Sequence, residues 1–210
     1  MFPVKQNLSF LKEMRPNLEK FSEFLLKWQK SVNLISPNTI PYLWERHIVD
    51  SAQLYSFIPD SARLLLDMGS GAGFPGVILA MVNQHLGGPL KTIVLVESDN
   101  KKCIFLNEVV RMFQLPVRVL NKRMEVVTSE DLNGKVVDVL TARALAPVPV
   151  LLKLSQHIRT PETMCLFLKG EQVDKEISEF YSQPNWEVCS YPSISDSKGV
   201  VIQMRGVMNE

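Results

Sequence analysis

The sequence predicts an α/β fold: a mostly parallel seven-stranded sheet with an antiparallel C-terminal strand, preceded by a helical cap. From Arg63 onward, short apolar segments alternate with helical patterns. This alternation is typical of a parallel sheet with helices on both faces. The segment before Arg63 shows helical patterns only. Near the C terminus, two β-rich segments follow each other without a helix between them, which indicates an antiparallel pair at one edge of the sheet.

The composition is that of an ordinary globular protein of 210 residues, with 46% hydrophobic and 21% charged residues. A formal net charge of +1 gives no overall basic field, so binding to nucleic acid would need a local patch. Cys103, Cys165 and Cys189 form no C-x-x-C pair, which disfavours a zinc site or a disulfide framework. No leader pattern or membrane-spanning apolar run is visible, so we expect a cytoplasmic location. We also expect no metal and a monomer.

Residues 1–60 are predicted to form the helical cap, and residues 61–210 the core domain. Between residues 14 and 32, apolar side chains recur at spacings of three and four, as on an amphipathic helix. A second helix is expected from Thr39, with Pro41 in its first turn, to about Phe57. Because a segment of this length buries little surface alone, it should pack on the core domain.

The elements of the core domain are assigned from apolar runs and turn signals. Strands are predicted at residues 64–68, 92–97, 117–120, 136–141 and 164–168, followed by the antiparallel pair at 186–191 and 199–204. Helices are predicted at residues 75–84, 100–114, 124–127, 147–157 and 173–181. In the second of these helices, we expect Ile104, Phe105, Val109 and Met112 to face inward.

A glycine-rich loop follows the first strand, with glycines at Gly69, Gly71, Gly73 and Gly76. Gly71-Ala-Gly73-Phe-Pro-Gly76 matches G-x-G-x-x-G, which alone permits a nicotinamide dinucleotide. Asp67 at the end of the strand would repel a pyrophosphate but attract the cationic groups of S-adenosyl-L-methionine. Together with the C-terminal strand pair, this favours a class I S-adenosylmethionine-dependent methyltransferase of Rossmann-like fold.

Three further residues are predicted to contact this cofactor. Glu97 ends the second strand, where a carboxylate accepts hydrogen bonds from ribose hydroxyls. Its alternative role is to cap the next helix. Met124 and Glu125 follow the third strand, where they would grip an adenine. An ordinary helix start, with Glu125 in its first turn, explains them equally well.

The absence of certain residues limits which atom can accept the methyl group. The segment after the fourth strand, Thr141 to Pro147, lacks the Asn/Asp-Pro-Pro-aromatic run of enzymes that methylate exocyclic amines. The cysteines fall in predicted helices or strands, which disfavours a covalent nucleophile. A nucleophile with a free lone pair, such as guanine N7, needs only alignment with the methyl group. No catalytic residue is assigned.

Basic side chains are the candidates for binding the acceptor. Arg143 follows the fourth strand at the ligand-binding edge of the sheet, where it would hold a phosphate or a base, although a surface salt bridge is the simpler alternative. Arg46 and His47 on the second helix and Lys169 after the fifth strand are further candidates. Each has a simpler alternative role: Arg46 would form an ion pair with Asp50 on the same helix, His47 would be a packing residue, and Lys169 would be a solvated surface lysine. An RNA-facing patch is a further hypothesis, drawn from Lys101, Lys102, Arg111, Arg118, Lys122 and Arg123.

Several motifs in one order resemble the RsmG (GidB) family of bacterial methyltransferases. They are Trp28-Gln-Lys-Ser-Val-Asn-Leu34, Glu45-Arg-His-Ile-Val-Asp-Ser51, Leu66-Asp-Met-Gly-Ser-Gly-Ala-Gly-Phe-Pro-Gly76, Val96-Glu-Ser-Asp-Asn-Lys-Lys102, Thr141-Ala-Arg-Ala-Leu-Ala146 and Leu168-Lys-Gly-Glu171. The resemblance implies methylation of guanine N7 in the decoding-region loop of 16S ribosomal RNA, using S-adenosyl-L-methionine. It also implies cofactor contacts at Gly69, Phe74, Met124, Glu125 and Arg143.

The partner implied is therefore 16S ribosomal RNA or the small ribosomal subunit. A methyltransferase of another substrate and a non-catalytic nucleotide-binding module remain the alternatives. A methyltransferase of another substrate would transfer labelled methyl groups to a different cellular fraction. A binding module would bind the cofactor without forming a methylated product.

Overall fold

The computed structural model of the 210-residue chain describes residues 8–170 and 173–207. One sheet of seven strands organises the molecule, in the order β3-β2-β1-β4-β5-β7-β6. The strands are β1 Leu64–Met68, β2 Thr92–Glu97, β3 Val117–Asn121, β4 Val139–Arg143, β5 Met164–Lys169, β6 Trp186–Pro192 and β7 Val200–Gly206. The first five are parallel, and β7 runs antiparallel between β5 and β6. The predicted mostly parallel sheet and its antiparallel C-terminal end are confirmed.

Five α-helices accompany the sheet in the described residues: α1 Phe10–Gln29, α2 Gly76–Leu86, α3 Asn100–Phe113, α4 Val148–Ser155 and α5 Val173–Ile177. Single 3₁₀ turns cover Met124–Val126, Glu130–Leu132 and Phe180–Ser182. The helix predicted at residues 124–127 is therefore only a turn, and the one predicted at 173–181 is divided. None of the helices among the described residues is long and apolar enough to cross a membrane.

The second helix of the cap differs from the regular helix predicted between residues 39 and 57. It is a chain of short pieces: 3₁₀ at Pro37–Tyr42, a π-helical turn at Trp44–Val49, an α-helical turn at Asp50–Ala52 and 3₁₀ at Gln53–Phe57. Pro37 and Pro41 have no N–H to donate, so they interrupt the regular helical hydrogen bonds at the start of this segment. Such π-helical turns are frequent at functional sites, and this one holds Arg46 and His47.

The cap packs on one face of the sheet through a continuous apolar cluster. Leu18, Phe21 and Leu25 of α1 have no exposed surface and share this cluster with Leu65 and Ile93 of the sheet. A second cluster on the opposite face contains Phe167, Leu140 and the helices α4 and α5. Because burial of apolar surface contributes about 25 cal/mol per Å², the cap and the sheet stabilise each other.

Two local predictions are wrong. The fourth strand begins at Val139 rather than at residue 136, since Val136 is exposed and Asp138 accepts hydrogen bonds from Arg63 N and Leu64 N before the strand starts. The strand also ends at Arg143 rather than at residue 141, so Arg143 is the last residue of β4 and not a residue after it. On α3, Ile104 and Met112 face outward, and the inward side consists of Cys103, Phe105, Leu106 and Val109.

Candidate active site

The glycine loop between β1 and α2 brings the backbone close to two neighbouring elements. Gly69 and Gly71 have φ values of 64° and 56°, in the left-handed region that favours glycine. A Cβ atom on Gly69 would lie 2.7 Å from Leu145 Cδ1, so the segment after β4 covers the loop closely. A Cβ atom on Gly71 would meet nothing closer than 3.8 Å. The loop thus leaves open space beside Gly71.

That space belongs to a cavity of about 330 Å³ at the carboxyl ends of β1, β2, β3 and β4, which we call the loop cavity. Six predicted cofactor residues line it: Gly69, Gly71, Glu97, Met124, Glu125 and Arg143. Its other lining residues are Val96, Ser98, Lys102, Lys122, Arg123, Ala144, Leu145 and Leu154. Ligands of open α/β sheets bind at this edge.

Glu97 is fixed at the wall of the loop cavity by two backbone donors. Gly71 N donates to Glu97 Oε2 at 2.9 Å, and Asp99 N donates to Oε1 at 2.8 Å. The side chain does not cap α3, because Asp99 Oδ1 accepts from Lys102 N in that role. A carboxylate has about four lone-pair sites, so Glu97 can still accept from a ligand's hydroxyls.

Asp67 is not on the wall of the loop cavity, and its contact with a cationic ligand stays a prediction. Its side chain is fully buried; Thr141 Oγ1 donates to Oδ1 at 2.7 Å and Gly76 N donates to Oδ2 at 3.2 Å. The register that pairs Asp67 with Thr141 places these two side chains together. Burial raises the pKa of Asp67 to about 6, against the opposing effect of these hydrogen bonds. Asp67 therefore ties β4 to the start of α2.

Gly73 and Phe74 also lie outside the loop cavity, and their contacts with the cofactor stay predictions. Both are buried. The Phe74 ring lies 4.9 Å from the His47 ring and 5.7 Å from the Phe21 ring, between centroids. The guanidinium carbon of Arg143 lies 5.3 Å from the Phe74 centroid. The aromatic ring thus joins the loop to the cap and supports Arg143.

A second cavity of about 290 Å³ adjoins the first, and we call it the cap cavity. All the predicted acceptor residues line it, namely Arg46, His47, Arg143 and Lys169. Its other lining residues are Thr39, Asp50, Ala144, Leu168, Gly170, Asp196 and Gly199. Arg143 and Ala144 line both cavities. The last residue of β4 therefore stands between two neighbouring binding spaces.

Arg143 is held by the cap rather than by a surface salt bridge. Its Nη1 donates to the Arg46 carbonyl at 2.8 Å, and its Nη2 donates to His47 Nδ1. His47 Nε2 lies 2.9 Å from Thr39 Oγ1, which itself donates to the Ser36 carbonyl at 2.8 Å. Since Nδ1 accepts, Nε2 carries the ring proton. Burial, with the charges of Arg143 and Arg46, lowers the pKa of His47 to about 3, so the ring is neutral.

Lys169 is not the solvated lysine of the simpler alternative. Its Nζ donates to the Ala146 carbonyl at 2.8 Å and pairs with Glu176 Oε2 at 2.9 Å. The same carboxylate oxygen accepts from Val148 N at 2.9 Å. Lys169 thus joins β5 to the segment after β4 and to α5, and brings a positive charge to the cap cavity.

The connection between β6 and β7, residues 193–199, packs on the cap and contributes Asp196 and Gly199 to the cap cavity. Asp50 Oδ1 accepts from Ser193 Oγ at 2.9 Å and from Ser195 Oγ at 3.0 Å, and Ile194 N donates to Gln53 Oε1 at 3.1 Å. Arg46 pairs with Asp196 across this contact at 3.2 Å, instead of forming the expected helix pair with Asp50. Burial raises the pKa of Asp50, opposed by hydrogen bonds from the two serines and by the charge of Arg143. No motif in the serine-rich connection indicates this contact.

The RNA-facing basic patch stays a prediction, and its residues have different surroundings. Lys102, Lys122 and Arg123 line the loop cavity. Arg111 pairs with Glu108, and Arg118 donates to the Asp131 carbonyl, which limits their availability to a phosphate. Within residues 8–170 and 173–207, no group of three or more His, Cys, Asp or Glu side chains has the arrangement of a metal site. A cavity of about 440 Å³ between residues 56–60 and the C-terminal strands contains none of the predicted site residues.

Solved structures share this fold at low sequence identity. A putative O-methyltransferase from Klebsiella pneumoniae superposes with a TM-score of 0.63 over 92% of this chain and 90% of that chain, at 13% identity. The tRNA methyltransferase TrmK of B. subtilis superposes with a TM-score of 0.54 over 77% and 66%, at 12% identity. These similarities establish the Rossmann-like methyltransferase fold.

Sequence comparison gives the family. Ribosomal RNA small subunit methyltransferase G of Dinoroseobacter shibae is 40% identical over 90% of this chain and 94% of its own length. The protein of the same name from Paramagnetospirillum magneticum is 42% identical over 93% and 90%. The family model described as rRNA small subunit methyltransferase G matches residues 14–200, which include most of the cap, both cavities and the whole 193–199 connection. The chain belongs to this family, GidB, and is a methyltransferase.

Proposed function

We propose that this protein transfers the methyl group of S-adenosyl-L-methionine to N7 of a guanine in the decoding-region loop of 16S ribosomal RNA. The observation that carries the proposal is the pair of adjoining cavities that share Arg143 and Ala144. A methyl donor in one cavity and an acceptor base in the other would meet at the end of β4. Alignment of two bound reactants is itself a large source of rate enhancement.

The loop cavity suits S-adenosyl-L-methionine. The open backbone at Gly71 and the apolar Met124 give room and contact area. Glu97 and Glu125 offer acceptors for hydroxyl and amino groups, and their negative charge attracts the sulfonium. The bound cofactor supplies an electrophilic methyl group. Among the predicted cofactor residues, we assign direct contacts to Gly69, Gly71, Glu97, Met124, Glu125 and Arg143.

The cap cavity suits an acceptor that needs no base. Both ring nitrogens of His47 are engaged, and its lowered pKa makes it a poor proton acceptor. The cysteines lie elsewhere: Cys103 is on α3, Cys165 is buried in β5 and Cys189 is in β6. Guanine N7 carries a lone pair and loses no proton on methylation, so this chain's residues need only orient the base and exclude water.

We assign different roles to the two parts of the chain. Residues 1–60 act as a cap that completes the acceptor site, and residues 61–210 form the methyltransferase core. We expect the protein to act as a monomer. An open groove shares Arg46, Gly170 and Asp196 with the cap cavity and carries Tyr42 and Lys198, so RNA can approach from this side. A ribosomal RNA substrate places the reaction in the cytoplasm.

Mass spectrometry of 16S RNA tests the proposal. We expect N7-methylguanosine at the decoding-region position to disappear from cells that lack the gene and to return on complementation. Purified protein should then label small subunits, or naked 16S RNA, from the deletion strain. Unchanged N7-methylguanosine in the deletion strain would contradict the proposal. Label in another cellular fraction would favour another substrate, and cofactor binding without any methylated product would favour a binding module.

A further inference from the structure

The cap cavity presents a carboxylate beside a guanidinium, in a fixed orientation. Asp50 Oδ1 accepts from Gln53 Nε2 at 2.7 Å as well as from the hydroxyls of Ser193 and Ser195. Asp50 Oδ2 lies 4.0 Å from Arg143 Nη1, and none of the hydrogen bonds between described residues uses Oδ2. The carboxylate is therefore held through one oxygen while the other faces Arg143 at the cavity.

Arg143 is held in the same way. Two of its N–H groups donate to the cap, one to the Arg46 carbonyl and one to His47 Nδ1. A guanidinium carries five N–H groups, so it can donate to a ligand while both contacts persist. The side chains of Arg143 and Asp50 are each 16% exposed, which makes hydrogen bonds to them stronger than in open water.

The two groups stand in a definite order. Arg143 lines both cavities, whereas Asp50 lines only the cap cavity. Moving away from the loop cavity, a ligand therefore meets a donor first and an acceptor second. This order matches one purine. Guanine presents N7 and O6 as acceptors and then N1–H and the 2-amino group as donors, whereas adenine presents a 6-amino donor followed by the N1 acceptor.

We propose that Asp50 is the residue that selects guanine, accepting a hydrogen bond from N1–H through Oδ2 while Arg143 donates to O6. This assignment rests on the proposed function and deepens it. With O6 on Arg143 and N1–H on Asp50, N7 lies on the side of the loop cavity, where the methyl group would be. The methylated ring gains a positive charge that the Asp50 carboxylate stabilises.

An alternative role for Asp50 is only to dock the 193–199 connection through Oδ1. Asp50→Asn separates the two roles, because the amide oxygen still accepts from both serines while an NH₂ group replaces Oδ2. Loss of a hydrogen bond to a charged group corresponds to about a 10- to 100-fold effect. An unpaired donor on guanine adds to this effect, whereas the new amide NH₂ matches N1 of adenine.

The experiment measures single-turnover methyl transfer to small subunits prepared from a strain lacking the gene. The target position carries guanine or adenine. We expect the wild type to prefer guanine. For Asp50→Asn, we expect guanine transfer to fall about 10- to 100-fold and the guanine-to-adenine ratio to fall at least about tenfold. Its affinity for S-adenosyl-L-methionine, measured by calorimetry, should equal that of the wild type and would show that the variant is folded.

Ser195→Ala is the matched control, because it removes a donor to Oδ1 and leaves Oδ2 intact. It should slow transfer to both bases equally and keep the wild-type ratio. An Asp50→Asn variant that behaves like Ser195→Ala, with an unchanged ratio, would overturn the assignment. So would a wild-type enzyme that does not distinguish the two bases. Absence of wild-type transfer to guanine would instead contradict the proposed function itself.

Discussion

The loop cavity and the cap cavity adjoin each other but are built in different ways. The wall of the loop cavity consists of residues at or just after the ends of β1 to β4, together with Lys102 of α3 and Leu154 of α4. The cap cavity is assembled from the π-helical turn, the ends of β4 and β5 and the 193–199 connection. In the first, most of the geometry follows from strand-end positions in a parallel sheet. In the second, it follows from packing between segments far apart in the sequence, such as Arg143 and His47 or Arg46 and Asp196.

The difference extends to electrostatics. In the loop cavity, Glu97 is oriented by backbone N–H groups, which do not titrate. In the cap cavity, Arg143 is oriented by the His47 ring, which serves only while it is neutral. The cofactor site should therefore be sensitive to backbone conformation, and the acceptor site to the protonation of a side chain.

The strongest break of the loop cavity should come from Gly71→Val. A β-branched residue at a φ of 56° is strained, and its side chain would occupy the open space beside the loop. We expect affinity for S-adenosyl-L-methionine to fall at least about a thousandfold, or about 4 kcal/mol. Calorimetry measures this change.

Gly134→Val provides the matched control for this variant. Gly134 has a φ of 69°, and a Cβ atom there would meet nothing within 4 Å. The control therefore has comparable backbone strain, of order 1–3 kcal/mol in stability, without a side chain in the cavity. Both variants should unfold at similarly lowered denaturant concentrations, and only Gly71→Val should lose the cofactor. Equal affinities in the two variants would show that Gly71 is not part of the site.

Protonation of His47 at acid pH should destabilise the cap cavity. His47 is 4% exposed, and its pKa is lowered from 6.5 to about 3. Below pH 6.5, the unfolded chain therefore binds a proton at His47 more readily than the native chain does. The contribution of His47 to the free energy of unfolding is complete above pH 6.5 and is lost as the pH falls towards 3. At pH 4.5 the loss should be about 2–3 kcal/mol. Urea unfolding at pH 7.5 and 4.5 measures it.

Nearby carboxylates also titrate in this range, so the comparison needs a variant without the imidazole. His47→Gln keeps an acceptor for Arg143 and cannot be protonated. The charged groups around position 47, namely Arg46, Arg143 and Asp50, are the same in both proteins. We expect the stability of the wild type to fall more steeply with acid than that of His47→Gln, by the amount above. Parallel pH profiles would show that His47 does not titrate as the structure requires.

Much of the loop cavity could be predicted from the sequence. Glu97, Met124 and Arg143 follow from their strand-end positions, since parallel strands end at one edge. One predicted residue at this edge lies away from the cavity, and the reason is physical. Asp67 also stands at a strand end, yet its side chain turns into the core because Thr141 on the neighbouring strand and Gly76 N satisfy both carboxylate oxygens. The direction of a side chain depends on cross-strand register, which local sequence does not give.

The cap cavity was predicted only as a set of basic candidates. Arg46, His47 and Lys169 do meet there, but their partners Asp196, Thr39 and Glu176 belong to other segments. The π-helical turn and the docking of Ser193 and Ser195 on Asp50 arise from tertiary packing, which overrides local helix patterns. The sequence therefore identified the types of residue in this site and not their connections.

The smallest expected effect concerns Asp67, which shapes the loop without lining its cavity. Burial raises its pKa from 3.8 to about 6, so its ionised form destabilises the fold; stability is greatest below pH 3.8 and is lost as the pH rises to 6. Asp67→Asn cannot ionise. Its amide oxygen can accept from Gly76 N while its NH₂ group donates to Thr141 Oγ1, which reverses that hydrogen bond. Removing the ionisation is worth about 3 kcal/mol at pH 8, partly offset because the amide replaces one accepting oxygen by a donor. We therefore expect a net gain of about 1–2 kcal/mol in unfolding free energy, with cofactor affinity changed less than about threefold. A folded Asp67→Asn variant that no longer binds S-adenosyl-L-methionine would instead mean that the buried charge attracts the cofactor through the loop, and the boundary between the loop and its cavity would have to be redrawn.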